Sequence, residues 1–187
     1  AFYNTALKAV RLGENVKTLG NAAFGACKNL SQVIFGSKLE SVGNDCFNYC
    51  SSLLAADLSE TKVQTIGLDA FKGCLALKTV ALPNTLESIG KQAFFDCASL
   101  YELDLGNGLQ YIGEQAFENC TELQSLTIPQ RVQSIGCFAF ANCEQLKDLH
   151  FNAVSCDDFL PHNMVFANVA KNGGLTVVFG NGVKKIP

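Results

Sequence analysis

Nine cysteines in a chain of 187 residues are the first groups here that could do chemistry. A thiolate is a nucleophile and a soft metal ligand, and two thiols can close a disulfide. Six of the nine, Cys27, Cys50, Cys74, Cys97, Cys120 and Cys143, recur every 23 residues with a single step of 24. A catalytic thiol needs one special environment with a base beside it. A residue repeated at a fixed interval instead answers a need of the repeating unit. The six are therefore read as small apolar side chains in a continuous buried column. Stacked units would bring neighbouring cysteines within disulfide reach by Cα spacing, but parallel in-register side chains give poor bridging geometry. No C-x-x-C pair or Cys/His cluster at ligand spacing points to zinc, and no metal or cofactor is expected.

The other three thiols differ in setting. Cys46 takes the place that Ala23, Ala70, Ala93, Ala116 and Ala139 hold elsewhere, a small core position. Cys137 follows Gly136 where other units carry Asn21, Asn44, Lys91 or Glu114, so it is expected to be exposed and the most reactive. Cys156 lies in an irregular stretch. His150 and His162 are the only histidines, and neither has a Ser or Cys partner in a recognisable motif. Glu102 and Asp104 share one strand face and could be imagined as a glycosidase pair. An open sheet, however, offers no desolvated pocket to raise the pKa of one of them. Calcium would find carboxylates but no loop that gathers them. Gly106-Asn107-Gly108 is the turn after a strand and resembles no phosphate loop. No catalytic residue is assigned, and the chain is not read as an enzyme.

The elements that position these groups follow from the same period. Gly20, Gly43, Gly67, Gly90, Gly113 and Gly136 keep the cysteine step, as do Phe24, Phe47, Phe71, Phe94, Phe117 and Phe140. So do Leu30, Leu53, Leu77, Leu100, Leu123 and Leu146. Within the unit from Leu77 to Cys97, Val80 and Leu82 alternate with Thr79 and Ala81, which is strand periodicity with one face buried. Pro83 and Asn84 end that strand. Leu86 and Ile89 point inward on a second extended arm, and Gly90 turns where a side chain would crowd the coil. Ala93, Phe94 and Cys97 have the offsets of a short helical turn. One such coil cannot bury its interior alone, so the coils must stack with parallel strands about 4.8 Å apart. The 24-residue step is an extra residue between Leu58 and Val63, in a surface turn.

The unit L-x-x-[VL]-x-[LIF]-P-x-x-[LV]-x-x-I-G-x-x-A-F-x-x-C resembles the BspA-like class of leucine-rich repeats over about residues 7 to 151. The resemblance implies an α/β right-handed leucine-rich-repeat solenoid, with a parallel concave sheet and short convex helical turns. It also implies an extracellular or surface-exposed microbial protein, associated with adhesion and host-protein binding.

Residues 1–151 are read as regular repeats with a partial first unit. Residues 152–187 are read as a degenerate terminal repeat with an insertion, in the same solenoid. Phe151 to Phe179 spans 28 residues instead of 23, and Val165, Phe166 and Val169 still resemble the A-F-x-x-C turn. Both ends fall inside a repeat, which suggests a segment of a longer array. The outward strand residues define the candidate partner-binding face: Arg11, Gln32, Asp57, Thr79, Glu102, Asp104, Ser125, Thr127, Asp148 and His150. A shallow face of short side chains suits a protein or glycan ligand. A net charge of −3 argues against nucleic acid, and no apolar run approaches the roughly 20 residues that span a bilayer. The expected role is a non-catalytic binding module, with a structural spacer or stalk in a larger surface protein as the alternative.

Overall fold

In a computed structural model, describing residues 2–159, 162–171 and 173–187, the coils stack as the period requires. Ala1, which the repeat assigns to the alanine column, lies outside the described residues. Each regular coil has two extended arms and a turn-rich arm. The long arms are β1 (Ala9–Arg11), β3 (Gln32–Ile34), β5 (Ala55–Asp57), β7 (Thr79–Ala81), β9 (Glu102–Asp104), β11 (Ser125–Ile128), β13 (Asp148–Phe151) and β14 (Thr176–Phe179). The short arms are β2 (Thr18–Leu19), β4 (Ser41–Val42), β6 (Thr65–Ile66), β8 (Ser88–Ile89), β10 (Tyr111–Ile112) and β12 (Ser134–Ile135). All pairings are parallel and join equivalent positions, such as Val80 with Leu103 and Ile89 with Ile112.

The short arms form one continuous six-stranded ladder, whereas the long arms form three: β1–β3, β5–β7–β9 and β11–β13–β14. The interruptions fall between β3 and β5 and between β9 and β11. At each, a strand beside the gap ends in an aspartate that closes the next turn. Asp57 Oδ1 accepts from the Ser59 N–H (3.1 Å) and hydroxyl (2.7 Å), and Asp104 Oδ1 from the Gly106 N–H (2.9 Å).

The interior is a set of columns. Phe2, Phe24, Phe47, Phe71, Phe94, Phe117, Phe140 and Phe166 stack with ring centroids 5.0–5.6 Å apart and planes within 15°. The offset-stacked geometry adds to the stabilisation from burial alone. The leucine column from Leu30 to Leu146 is fully buried. The glycine column is set by close approach. A Cβ on Gly90 would come within 2.7 Å of the Gly67 carbonyl carbon, and one on Gly113 within 2.6 Å of Gly90's. Neither glycine has a positive φ, so room for the neighbouring coil, rather than backbone freedom, is what excludes a side chain there.

The turn-rich arm is not helical, contrary to the sequence expectation. In each coil two positions have left-handed φ, as at Gln92 (54°) and Asp96 (63°), or Gln115 (57°) and Asn119 (64°). These break any right-handed helix and leave overlapping turns, such as Ala93 N–H to Gly90 O (3.3 Å) and Phe95 N–H to Gln92 O (3.1 Å). The intervening N–H groups point to the next coil. Gln92 donates to Glu114 O, Phe94 to Ala116 O and Asp96 to Glu118 O at 2.8–2.9 Å. A helix would consume those donors internally. Here a third inter-coil ladder uses them, and its hydrogen bonds offset the roughly 1–2 kcal/mol cost of each left-handed residue.

The extra residue of the 24-residue step is accommodated by Thr61, which is buried and donates its hydroxyl to Leu58 O (2.7 Å). At the other end, residues 152–157 still track the preceding coil through Asn152 N–H to Ile128 O and Asp157 N–H to Gln133 O. The turn-rich path resumes with Phe140 N–H to Val165 O. Register places the additional length of this coil between Asp157 and Asn163 and again between Asn168 and Thr176.

Candidate functional site

The cysteine column holds no reactive centre. All nine cysteines are free, and the six periodic thiols are fully buried. Each donates to the phenylalanine carbonyl of the preceding coil, as Cys97 Sγ does to Phe71 O (3.3 Å) and Cys74 Sγ to Phe47 O (3.2 Å). The thiol thus fills the volume of a small apolar side chain and also donates a weak bond that alanine could not make. Burial pushes the Cys50 and Cys143 thiols up to about 12, and those of Cys74, Cys97 and Cys120 well above the ordinary value. Thr5 occupies the cysteine column of the first coil, with Oγ1 3.3 Å from Cys27 Sγ. Cys46 is buried as expected and also pushed up to about 12 by desolvation. Cys137, expected to be exposed, is half-buried with its Sγ 3.5 Å from Asn163 Oδ1, because the segment around Asn163 covers it. Cys156 is half-buried too, and desolvation with the charges of Asp157 and Asp158 raises it to about 11.

The ten candidate face residues all lie on the long arms. Thr79 is half-exposed and the other nine are exposed. Parallel register sets Thr79 beside Glu102, Ser125 beside Asp148 and Thr127 beside His150. Glu102 and Asp104 stand two residues apart on one strand, both exposed. Every ion pair among the described residues lies elsewhere, as in Lys91–Glu114 on the turn-rich arm and Lys17–Glu40. The carboxylates of Asp57, Glu102, Asp104 and Asp148 therefore face outward without a cationic partner. His150 lies on this face, whereas His162 sits in the turn where the column glycine of other coils would stand. The two histidines belong to different arms. No group of three or more His, Cys, Asp and Glu able to hold a metal ion occurs among the described residues.

A feature that the strand pattern did not reveal is an open groove of about 600 Å³ along the edge where β9 and β11 part. Its polar lining comes from the ends of four successive long arms: Asp104, Asn107, Thr127, Gln130, Asn152 and Asn181. The hydrogen bond from Leu82 N–H to Asp104 O (2.9 Å), which closes the β7–β9 edge, has no equivalent from Leu105 to Thr127. The sequence signal was the pair Gly106-Asn107-Gly108 and Gly180-Asn181-Gly182, one at each end of the groove, whereas the corners between them begin with Pro129 and Asn152.

Solved structures of similar architecture include bacterial proteins. The chain is similar to the leucine-rich repeat protein of T. pallidum, with 25% identity and a TM-score of 0.56, over 81% of this chain and 70% of that one. It is similar to a leucine-rich cell surface protein of Faecalibacterium prausnitzii, with 19% identity and a TM-score of 0.59, over 92% of this chain and 60% of that one. A leucine-rich repeat protein of Eubacterium ventriosum matches at 20% identity and a TM-score of 0.58, over 83% of this chain and 46% of that one. The chain thus spans from under half to 70% of these proteins. No curated protein matches it. Residues 1–68 and 64–159 match the BspA-type leucine-rich repeat region in six copies. With its glycine, phenylalanine and cysteine columns stacked in register, the chain belongs to the BspA-type leucine-rich repeat family.

Proposed function

We propose that this segment is a non-catalytic binding module, displayed at a bacterial cell surface, that presents the outward face of its long arms to a protein or glycan. The observation that carries the reading is the cluster of exposed carboxylates in two adjacent rows, Asp57 with Asp104 and Glu102 with Asp148, on parallel strands with no cation paired to them among the described residues. On the turn-rich arm, by contrast, polar side chains are tied to one another: Asn142 Nδ2 donates to Asn119 Oδ1 and Gln92 Nε2 to Gln115 Oε1. Side chains fixed that way hold coils together, whereas Glu102 and Asp148 and the second carboxylate oxygens of Asp57 and Asp104 remain available to a ligand. The bacterial surface setting draws on the F. prausnitzii relative, described as a cell surface protein. No helix among the described residues is long and apolar enough to cross a membrane.

The test is a triple reversal, Glu102→Lys, Asp104→Lys and Asp148→Lys, screened beside the parent chain against immobilised surface proteins and glycans. Loss of at least tenfold in affinity with an unchanged unfolding transition supports the reading. A parent chain that retains nothing, or a variant that binds as well as the parent, refutes it and favours a spacer that only holds other domains apart.

A further inference from the structure

We infer that the groove between β9 and β11 is a subsite for a short neutral oligosaccharide. This assignment rests on the reading of the chain as a binding module and names the ligand class of one part of it. The groove's volume of about 600 Å³ falls within the range of small-ligand sites. Its lining draws on four successive coils, so it runs for about 14 Å at ordinary strand spacing, longer than a single sugar ring.

The chemistry of the lining selects the ligand. The side chains of Asn107, Thr127, Gln130, Asn152 and Asn181 make no hydrogen bond to another protein group among the described residues. Elsewhere the same residue types are bonded between coils, as in the run Asp96–Asn119–Asn142–Asn168 on the turn-rich arm. A carboxamide offers one acceptor and two donors, and a carboxylate only acceptors. Asp104 has Oδ1 engaged by Gly106 N–H and leaves Oδ2 to accept from a ligand hydroxyl. Neighbouring hydroxyls on a sugar ring are donors and acceptors at once and match this mixture. Among the described residues no Lys, Arg or His lines the groove, so a sulfate, phosphate or sugar carboxylate would meet Asp104 with no counter-charge. Pro129 and Val154 supply apolar surface for the C–H face of a ring. An extended peptide is the weaker fit, because the groove has few apolar pockets to hold alternate side chains.

The experiment uses the chain on an array of neutral hexose and N-acetylhexosamine oligosaccharides, sialylated and sulfated glycans, and a displayed peptide library. Two variants accompany it: Asn107→Ala with Asn181→Ala at the groove, and Glu102→Lys with Asp148→Lys on the strand face. Binding of neutral oligosaccharides, weakened at least tenfold by the groove variant and less than threefold by the face variant, supports the subsite. Binding only of anionic glycans, only of peptides, or of no array member overturns it. If a macromolecular ligand is lost with the face variant while the groove variant binds normally, the subsite falls and the binding-module reading stands. If neither variant alters binding, both fall. Unfolding midpoints of the two variants check that neither has lost its fold.

Discussion

Replacing Phe94 by Ala tests whether the stacked rings carry the stability of the solenoid or merely fill space. Phe94 is fully buried, between Phe71 at 5.0 Å and Phe117 at 5.1 Å, both within 3° of coplanar. Removing a buried phenylalanine side chain costs about 3–5 kcal/mol, combining lost transfer energy and the cavity left behind. Two ring pairs are broken, each worth about 0.5–1.5 kcal/mol beyond burial, and the coil backbones are pinned by three inter-coil ladders that resist collapse into the space. These features place the expected cost near the upper end, about 4–5 kcal/mol. That is a large part of the roughly 5–15 kcal/mol by which domains are stable. The companion is Phe2→Ala, at the end of the same column, where the ring is 54% exposed and has a single stacking neighbour at 5.6 Å. With half its surface already in water, it should cost about 1 kcal/mol. Urea unfolding of the two variants gives both numbers, and amide exchange shows where the damage spreads. Because each coil contacts only its neighbours, protection should fall first in the coils around Phe71 and Phe117. Equal costs for the two substitutions, or a loss below about 1 kcal/mol at Phe94, would show that the column does not hold the stack together.

Gly90→Ala should cost about 1–3 kcal/mol, because its Cβ would meet the Gly67 and Leu68 backbone at 2.7–2.8 Å. Gly20→Ala, with nothing within 4 Å, should change stability by less than about 0.5 kcal/mol; similar values for both would remove close packing as the reason for the glycine column. A thiol reagent at pH 8 should modify only Cys137 and Cys156 in the native chain, with Cys156 slow because its thiol is raised to about 11. The buried thiols also set an alkaline limit. In the unfolded chain they ionise near the ordinary value, in the folded one only near 12 for Cys50 and Cys143 and well above the ordinary value for Cys97, so above about pH 9 the unfolded state binds fewer protons and stability falls. Each such thiol steepens the fall by about 1.4 kcal/mol per pH unit. A Cys143→Ala variant should show a correspondingly shallower loss between about pH 9 and 12, and an unchanged slope would place that thiol outside the core.

The columns were legible because each inward position is used by every coil. A requirement repeated six times leaves six identical residues at one spacing, and Phe94, Gly90 and Cys97 could be assigned inward from that alone. The turn-rich arm was misread because Ala93, Phe94 and Cys97 have offsets that also suit a helix. The signal against a helix lies in the intervening columns. Asp45, Asp69 and, six residues beyond the glycine, Gly73, Asp96, Asn119 and Asn142 are residue types that tolerate left-handed φ. The second of these columns, four residues beyond the first, holds Gly73, Asp96, Asn119 and Asn142 and describes a turn better than a helical face.

The groove escaped for a different reason. It depends on where one strand stops, not on what any coil shares with the others. β9 ends at Asp104, whose carboxylate takes the Gly106 N–H, while β11 continues to Ile128. That difference opens the β9–β11 edge, one of the two places where the long-arm ladder is interrupted. A periodic reading averages over coils and so discards what belongs to one of them. In a solenoid the shared positions hold the stack, and recognition must come from departures from the repeat. Asn107 and Asn181, each set between two glycines in a G-N-G corner that the other coils do not carry, are where the selectivity of the groove should concentrate, whereas Glu102 and Asp148 on the strand face serve the wider binding surface.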